Sequence, residues 1–486
     1  MIINTVRPKL NMLDERQVNN IIDEATSILE EIGITVENRE AIELLDGAGA
    51  KVNGQKVLIP SHIVKSAVET APSKIVMYSR SGEEAAILEG DNVHFDPGSA
   101  ALLFLDYENN KIRNAKAADC LKFSKLTNKM DNIALQSTGV VPSDVPEKIA
   151  DSFRLYIALK ECTKPVVTGT FEIASFELMK DMLSLIRGGD DNLREKPLAI
   201  FDCCPSPPLK WSNLTCQNLI DAAKAGIPAE LVSMPLTGAT SPVTLLGAVV
   251  QHCAESISGV VINQLTKPGA PIIWGGSPAL FDMRTGTTPM GAAETMMIDS
   301  ANTQIGKSLN LPTHAYMGLS DSKCVDAQAG LESGMGMLMA ALSGVNVVSG
   351  AGMMDFENCQ SLEKLVIDNE ICGMVLRIIR GLEQRDNIIA KDVLLDAVET
   401  KKFISHPHTI KWFKEESFYP GKVIDRFTDE QFYINGGKSS FEKAHIAAED
   451  ILSTFKPILP AEDVVKEMRK IMEIEFSKYG ADLPEI

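Results

Sequence analysis

From about residue 93 the chain alternates between short apolar runs and longer amphipathic stretches. The runs begin near Val93, Ile133, Pro165, Leu198, Glu230, Ile272, Pro312 and Val345. Their spacing, roughly 32 or 41 residues, suits one strand plus one helix. Helical periodicity predicts helices over Lys148–Cys162, Phe176–Arg187, Leu214–Ala225, Leu245–Leu265, Ala292–Leu309 and Asp326–Leu342. Several end in Gly or run into Pro, as in "KAGIPAE", "TKPGAP" and "LNLPTH". The runs do not alternate apolar with polar, so both faces of each strand are buried, as in a parallel sheet covered by helices. Eight such units predict an α/β fold, a (β/α)8 TIM-type barrel over residues 91–385. A doubly wound open sheet is the alternative.

The pattern differs at both ends. Asp14 to Ile32 has one apolar face (Val18, Ile21, Ile22, Ala25, Ile28, Leu29, Ile32), a capping box at Asp14 and Gln17, and Gly33 to stop it. A short helix around Ala41–Leu45, an Asn-Gly hairpin at Asn53–Gly54 and a helix over 60–70 follow. Residues 1–90 therefore read as an N-terminal helix–hairpin module. Residues 386–486 are charged and helical, with Trp412, Phe413, Phe418 and Tyr419 close together; they read as a helical C-terminal cap, with a separate domain as the alternative.

Charge narrows the partners. The formal net charge is -18, dispersed along the chain, which lacks the basic footprint that nucleic-acid binding requires. Gly, Pro or a charge interrupts each apolar run before the length of a membrane span, and the start MIINTVRPKLNMLDERQ has no signal-peptide core. A cytoplasmic protein, off the membrane, is expected. Nine scattered cysteines suggest no disulfide framework, which fits a reducing compartment. Cys203-Cys204 is the one pair that raises zinc, but no cluster of further ligands lies near it in sequence, so no metal is expected.

In such a barrel the chemistry sits on loops after the strands. That rim carries Phe95 and Asp96, Trp274, His314, Tyr316 and Asp321, then Ser349, Gly350, Gly352 and Phe356. Basic residues are scarce there, which argues against a phosphate site. In "GAGMMD" an aspartate, Asp355, stands where a dinucleotide fingerprint wants its third glycine. Large aromatics recur at strand ends although only 6% of residues are aromatic, and ring faces attract a quaternary ammonium. For each aromatic, plain core packing is the competing reading. For His314 it is a hydrogen-bonded structural role, and for Asp96 and Asp321 it is loop bonding or capping. Ser349 lacks a nucleophile elbow or triad context, and no catalytic residue is assigned.

The segments "SGAGMMDFENCQSLEKLVIDNEI", "DSKCVDAQAGLESGMGMLMAALSGVNVV" and "WGGSPALFDMRTGTTPMGAAE" resemble the trimethylamine methyltransferase family, and the likeness extends over nearly the whole chain. Archaeal members carry pyrrolysine; this chain has only standard residues, so it resembles the non-pyrrolysine branch. That resemblance implies demethylation of a quaternary amine such as glycine betaine, proline betaine, carnitine or γ-butyrobetaine. The methyl group would pass to Co(I) of a corrinoid (cobalamin-type) held by a separate partner protein, feeding one-carbon metabolism. No tightly bound cofactor is expected in this chain, and a homo-oligomer is compatible with the family. Ser349 would mark a position whose side chain varies across it.

The chemistry agrees with the missing pyrrolysine. A quaternary ammonium releases a neutral tertiary amine on losing methyl, so the protein has to orient one N–CH3 bond and exclude water. Backbone amides of Gly350–Gly352 at a helix start are expected to bind a betaine carboxylate. Two other readings stay open: a non-catalytic quaternary-amine binding protein, and a zinc-dependent thiol methyltransferase using Cys203 and Cys204.

Overall fold

The computed structural model describes residues 5–386 and 389–485. Eight parallel strands carry the architecture: β1 (His94–Pro97), β2 (Gln136–Ser137), β3 (Val166–Thr168), β4 (Ala199–Cys203), β5 (Ala229–Leu231), β6 (Ile272–Ile273), β7 (His314–Tyr316) and β8 (Val347–Ala351). Each is followed by a helix: α1 (Ala117–Asn128), α2 (Ala150–Glu161), α3 (Ile173–Arg187), α4 (Asn213–Ala225), α5 (Leu245–Thr266), α6 (Ala293–Ser308), α7 (Ala327–Ser343) and α8 (Leu362–Ile379). The starts read from the apolar runs lie within three residues of the strands. Helix ends follow the local chemistry: Gly188, Gly226 and Gly344 close α3, α4 and α7 in the left-handed conformation, and Ser212, Asp326 and Ser361 cap the starts of α4, α7 and α8.

The strands form two parallel sheets rather than one closed ladder. One runs β2-β3-β4-β5-β6 and the other β7-β8-β1. Backbone hydrogen bonds cross both gaps: Trp274 N donates to Pro312 O and His314 N to Trp274 O (2.8 Å each), and Ala134 N donates to Phe95 O (2.9 Å). The fold is thus mixed α/β with sequential parallel strands.

Two hairpins escaped the sequence reading. Ile75–Tyr78 pairs with Glu84–Leu88. Leu103–Asp106 pairs with Lys111–Asn114 and, on its other edge, with Cys359–Gln360. This second hairpin joins the loop after β1 to the loop after β8, and forms part of the roof over the strand ends.

The N-terminal elements form largely as read. Gln17 N donates to Asp14 Oδ1 (2.7 Å) and Asp14 N to Gln17 Oε1 (3.0 Å), completing the capping box. The α-helix spans Glu15–Ser27, and the final turn, Ile28–Ile32, is π-helical before Gly33. This helix and the one at Ser61–Thr70 pack on α5, as do α4 and α6. That packing explains α5, which is long and apolar enough to cross a membrane but has 78% of its most apolar window buried in the protein. At the other end, Ser440–Thr454 packs on α8 and α1, and Glu462–Lys478 packs on α2 and α3.

Candidate active site

A cavity of about 1150 Å3 opens at the carboxyl ends of the strands. Its wall draws on the loops after β1, β2, β3, β5 and β8 and on side chains of β4 and β7. Three aromatic side chains line it: Phe171, Tyr316 and Phe356. So do four acidic residues, Glu147, Glu172, Asp202 and Glu357, against a single basic one, Lys148. A space walled this way favours a cation.

Beneath the cavity a polar chain runs between the strands. Ser349 Oγ on β8 donates to Asp96 Oδ1 on β1 (2.6 Å) and lies 2.9 Å from His314 Nε2 on β7. His314 Nδ1 is 3.0 Å from Glu230 Oε1 on β5, and Glu230 in turn faces Asp202 of β4 as a carboxyl pair. Ser349 Oγ thus bridges Asp96 and His314, and the direction of the His314 bond follows the imidazole tautomer. Desolvation dominates the electrostatics here. Burial pushes Glu230 up to about 8 and His314 down to about 4, and holds Asp96 and Asp202 well above the usual carboxylate range. At neutral pH the Glu230–His314 contact is therefore a neutral one.

The rim after β8 is built on unusual backbone. Asp355, Phe356 and Glu357 have φ of 52°, 56° and 72°, a run of three non-glycine residues in the left-handed region. Pairing of Met353–Met354 with Cys359–Gln360 closes this turn, and Asp355 N donates to Ser322 O (3.0 Å). The turn brings Phe356 and Glu357 into the cavity wall, where burial raises Glu357 to about 8. Lys323 Nζ sits 3.5 Å from the centroid of the Phe356 ring and 3.4 Å from Asp355 Oδ1. One face of Phe356 thus already holds a cation.

Of the residues singled out from sequence, the structure brings Asp96, His314, Tyr316 and Ser349 together at the floor and Phe356 to the wall. It does not bring Phe95 or Trp274 to the cavity. Phe95 is buried in the core, and Trp274 packs between β6 and α6, with Nε1 donating to Asn302 O (3.0 Å). Asp321 braces a loop, accepting from Met290 N (2.8 Å) and Gly291 N (3.0 Å). Gly350 and Gly352 serve close packing: a Cβ on Gly350 would lie 2.9 Å from Leu319 N, and Gly352 N already donates to Asp368 Oδ2 (2.7 Å). The helix after β8 starts ten residues beyond Gly352, at Leu362, so these glycines are not a helix N-terminus. The expected carboxylate cradle at Gly350–Gly352 is therefore corrected.

Glu230, Glu357 and Phe171 were missed. Glu230 had a signal: a carboxylate inside an apolar strand is costly unless it has a role or a partner. Glu357 and Phe171 sit on loops whose course no periodicity records. As for the zinc reading, burial raises both thiols of Cys203 and Cys204, which opposes thiolate formation. Among the described residues, no group of three or more His, Cys, Asp or Glu side chains is placed to hold a metal.

The comparisons with known proteins bear on this site. Residues 1–474 match the family model for trimethylamine methyltransferase (MTTB). The chain is 32% identical over 455 residues to a glycine betaine methyltransferase of Desulfitobacterium hafniense, covering 93% of this chain and 94% of that one. It is 30% identical over 455 residues to the trimethylamine methyltransferase MttB of the same species, covering 93% and 91%. Among solved structures, the monomethylamine methyltransferase (MtmB) of Methanosarcina barkeri superposes with a TM-score of 0.52 at 11% identity, covering 92% of this chain and 88% of that one. At that identity the likeness concerns the fold alone. The match over nearly the full length, together with two relatives at or above 30% identity, establishes that this chain belongs to the trimethylamine methyltransferase family.

Proposed function

We propose that the protein removes a methyl group from a quaternary amine of the betaine class and passes it to Co(I) of a corrinoid carried by a separate protein. The observation that carries this reading is the cavity wall: Phe171, Tyr316 and Phe356 surround a space whose floor exposes Asp202. Aromatic faces suit a quaternary ammonium, which offers no hydrogen bond and is held by ring quadrupoles, and a cation bound beside Asp202 would favour that group's ionised form against the burial that raises it. The 32% identical glycine betaine methyltransferase supports the substrate class.

The acceptor corrinoid supplies the nucleophile. This chain has to hold one N–CH3 bond in line with it and keep water away. The apolar wall, including Leu102, Val141 and Met234, excludes water, and Tyr316 and Asp202 orient the ammonium. When the C–N bond breaks, its electron pair stays on nitrogen and the product is a neutral tertiary amine. The aromatic and acidic contacts then weaken, which favours release. No proton needs to move, consistent with a floor where Glu230 and His314 are both neutral. The cavity exceeds the usual range of roughly 300–1,000 Å3 for small-molecule sites, leaving room for a large acceptor above the amine.

Two structural readings accompany the proposal. The paired sheets are the halves of one eight-stranded barrel, supported by hydrogen bonds across both gaps. Residues 1–90 and 386–486 then act as a module and a cap bracing the barrel of 91–385. The functional test is methyl transfer from a panel of quaternary amines to reduced cobalamin, followed by its absorption spectrum. Tight amine binding without transfer would instead favour a binding protein.

A further inference from the structure

Arg154 on α2 is the one fully buried guanidinium among the largest buried side chains, and it is 2% exposed. Its Nη2 donates to Thr138 Oγ1, while Nε and Nη1 have no hydrogen-bond partner. Among the described residues no carboxylate forms an ion pair with it, although Asp151 and Asp202 lie near enough to attract it. The near acidic group on its own helix, Asp151, is already used: Oδ1 accepts from Ser152 N (2.6 Å) and Oδ2 from Phe171 N (2.7 Å). Leaving a buried cation and two N–H groups unpaired is costly, and such an arrangement persists where a ligand completes it.

The surroundings place Arg154 directly behind the cavity wall. Its guanidinium carbon lies 5.0 Å from the centroid of Phe171, a lining residue. Its partner Thr138 lies 3.3 Å, hydroxyl to hydroxyl, from Ser99, another lining residue. Phe171 is half-buried on the irregular loop between β3 and α3, so its ring can turn aside without breaking a strand pairing. Among the other donors, Gly352 N is bound by Asp368, and Lys148, the basic lining residue, is exposed and offers a solvated point charge rather than a fixed fork.

We propose that Arg154 is the anchor for the substrate's carboxylate, making the site selective for betaines over carboxylate-free quaternary amines. Nη2 keeps a second hydrogen beyond the one given to Thr138, so together with Nε or with Nη1 it completes an edge of the guanidinium fork, which matches a carboxylate with two parallel hydrogen bonds. The ammonium end is then left to Tyr316, Phe356 and Asp202. This assignment rests on the proposed betaine chemistry, but its test can be separated from it.

The carbon isosteres 3,3-dimethylbutanoate and 3,3-dimethylbutan-1-ol copy glycine betaine and choline in shape, without a positive charge or a transferable methyl group. Titration calorimetry on the wild-type protein should show the carboxylate binding at least tenfold more tightly than the alcohol. The acidic wall alone would give the reverse order. Arg154→Met should lower the affinity for 3,3-dimethylbutanoate and glycine betaine at least tenfold while leaving choline within about twofold, which also reports intact folding. A wild-type protein that binds the alcohol as well as the carboxylate, or binds neither, overturns the assignment. So does an Arg154→Met variant that loses choline and betaine equally. If that variant does not fold, the wild-type comparison decides alone. Carboxylate binding that depends on Arg154, without any methyl transfer, would uphold the anchor and defeat the methyltransferase reading.

Discussion

His314 and Glu230 meet at 3.0 Å, imidazole Nδ1 to carboxyl oxygen, with both side chains completely enclosed between β5 and β7. In water such a pair would ionise and attract. Here desolvation outweighs attraction and both groups stay neutral.

That balance predicts a pH dependence of stability. Glu230 is raised from its ordinary value to about 8, so the folded protein holds a proton there that the unfolded chain releases above about pH 4.5. Its stabilisation is complete below that pH and is lost as pH rises through 8. His314, depressed to about 4, acts oppositely: stability is gained as pH rises from about 4 to 6.5 and is then constant. Between pH 6.5 and 8 Glu230 acts unopposed by His314, and stability should fall by up to about 1.4 kcal/mol per pH unit for this group. Asp96, Asp202 and Glu357 pull in the same direction. Glu230→Gln should therefore flatten part of the decline in urea-unfolding free energy, and an unchanged slope would refute the assignment.

The aromatic wall predicts a graded loss of substrate binding. Tyr316→Leu and Phe356→Leu each remove a ring face worth roughly 0.5–2 kcal/mol to a quaternary ammonium. Each should raise KM for the amine by a few-fold to about thirtyfold. Trp274→Phe, in the core away from the cavity, should leave KM unchanged while lowering stability.

The end of β8 should prove structural. Gly350 has a φ of 119°, and an added Cβ would press on the backbone of Leu319, which has no rotamer to escape to. Gly350→Ala should cost more than about 1 kcal/mol in unfolding free energy. Asp368→Ala should cost more, about 3–5 kcal/mol, because it strands the enclosed Lys364 ammonium, 2.6 Å from Asp368 Oδ2, and frees Gly352 N. Denaturant midpoints measure both.

These outcomes follow from which parts of the sequence carry periodic information. The strand starts and the six helices read between them were legible because β3, as Val166, Val167 and Thr168, is apolar or uncharged at each position and buried on both faces. His314, Ser349 and Asp96 were legible as a set because strand ends place them. Phe95 and Trp274 misled because an aromatic at a strand end faces the site or the helix layer depending on register, which shifts with one residue. Gly350–Gly352 misled because a glycine pair after a strand suggests an open amide cradle, whereas here it permits close packing. Phe356 and Glu357 reach the wall through a left-handed turn that no propensity foretells, and Arg154 became visible only through its missing partners.

Methyl transfer to cob(I)alamin tests the central claim most directly. The purified protein, given reduced cobalamin and quaternary amines in turn, should convert the cob(I)alamin spectrum to that of methylcobalamin with at least one betaine and release the matching tertiary amine. A spectrum that stays at cob(I)alamin with every betaine, while those betaines bind, would contradict it.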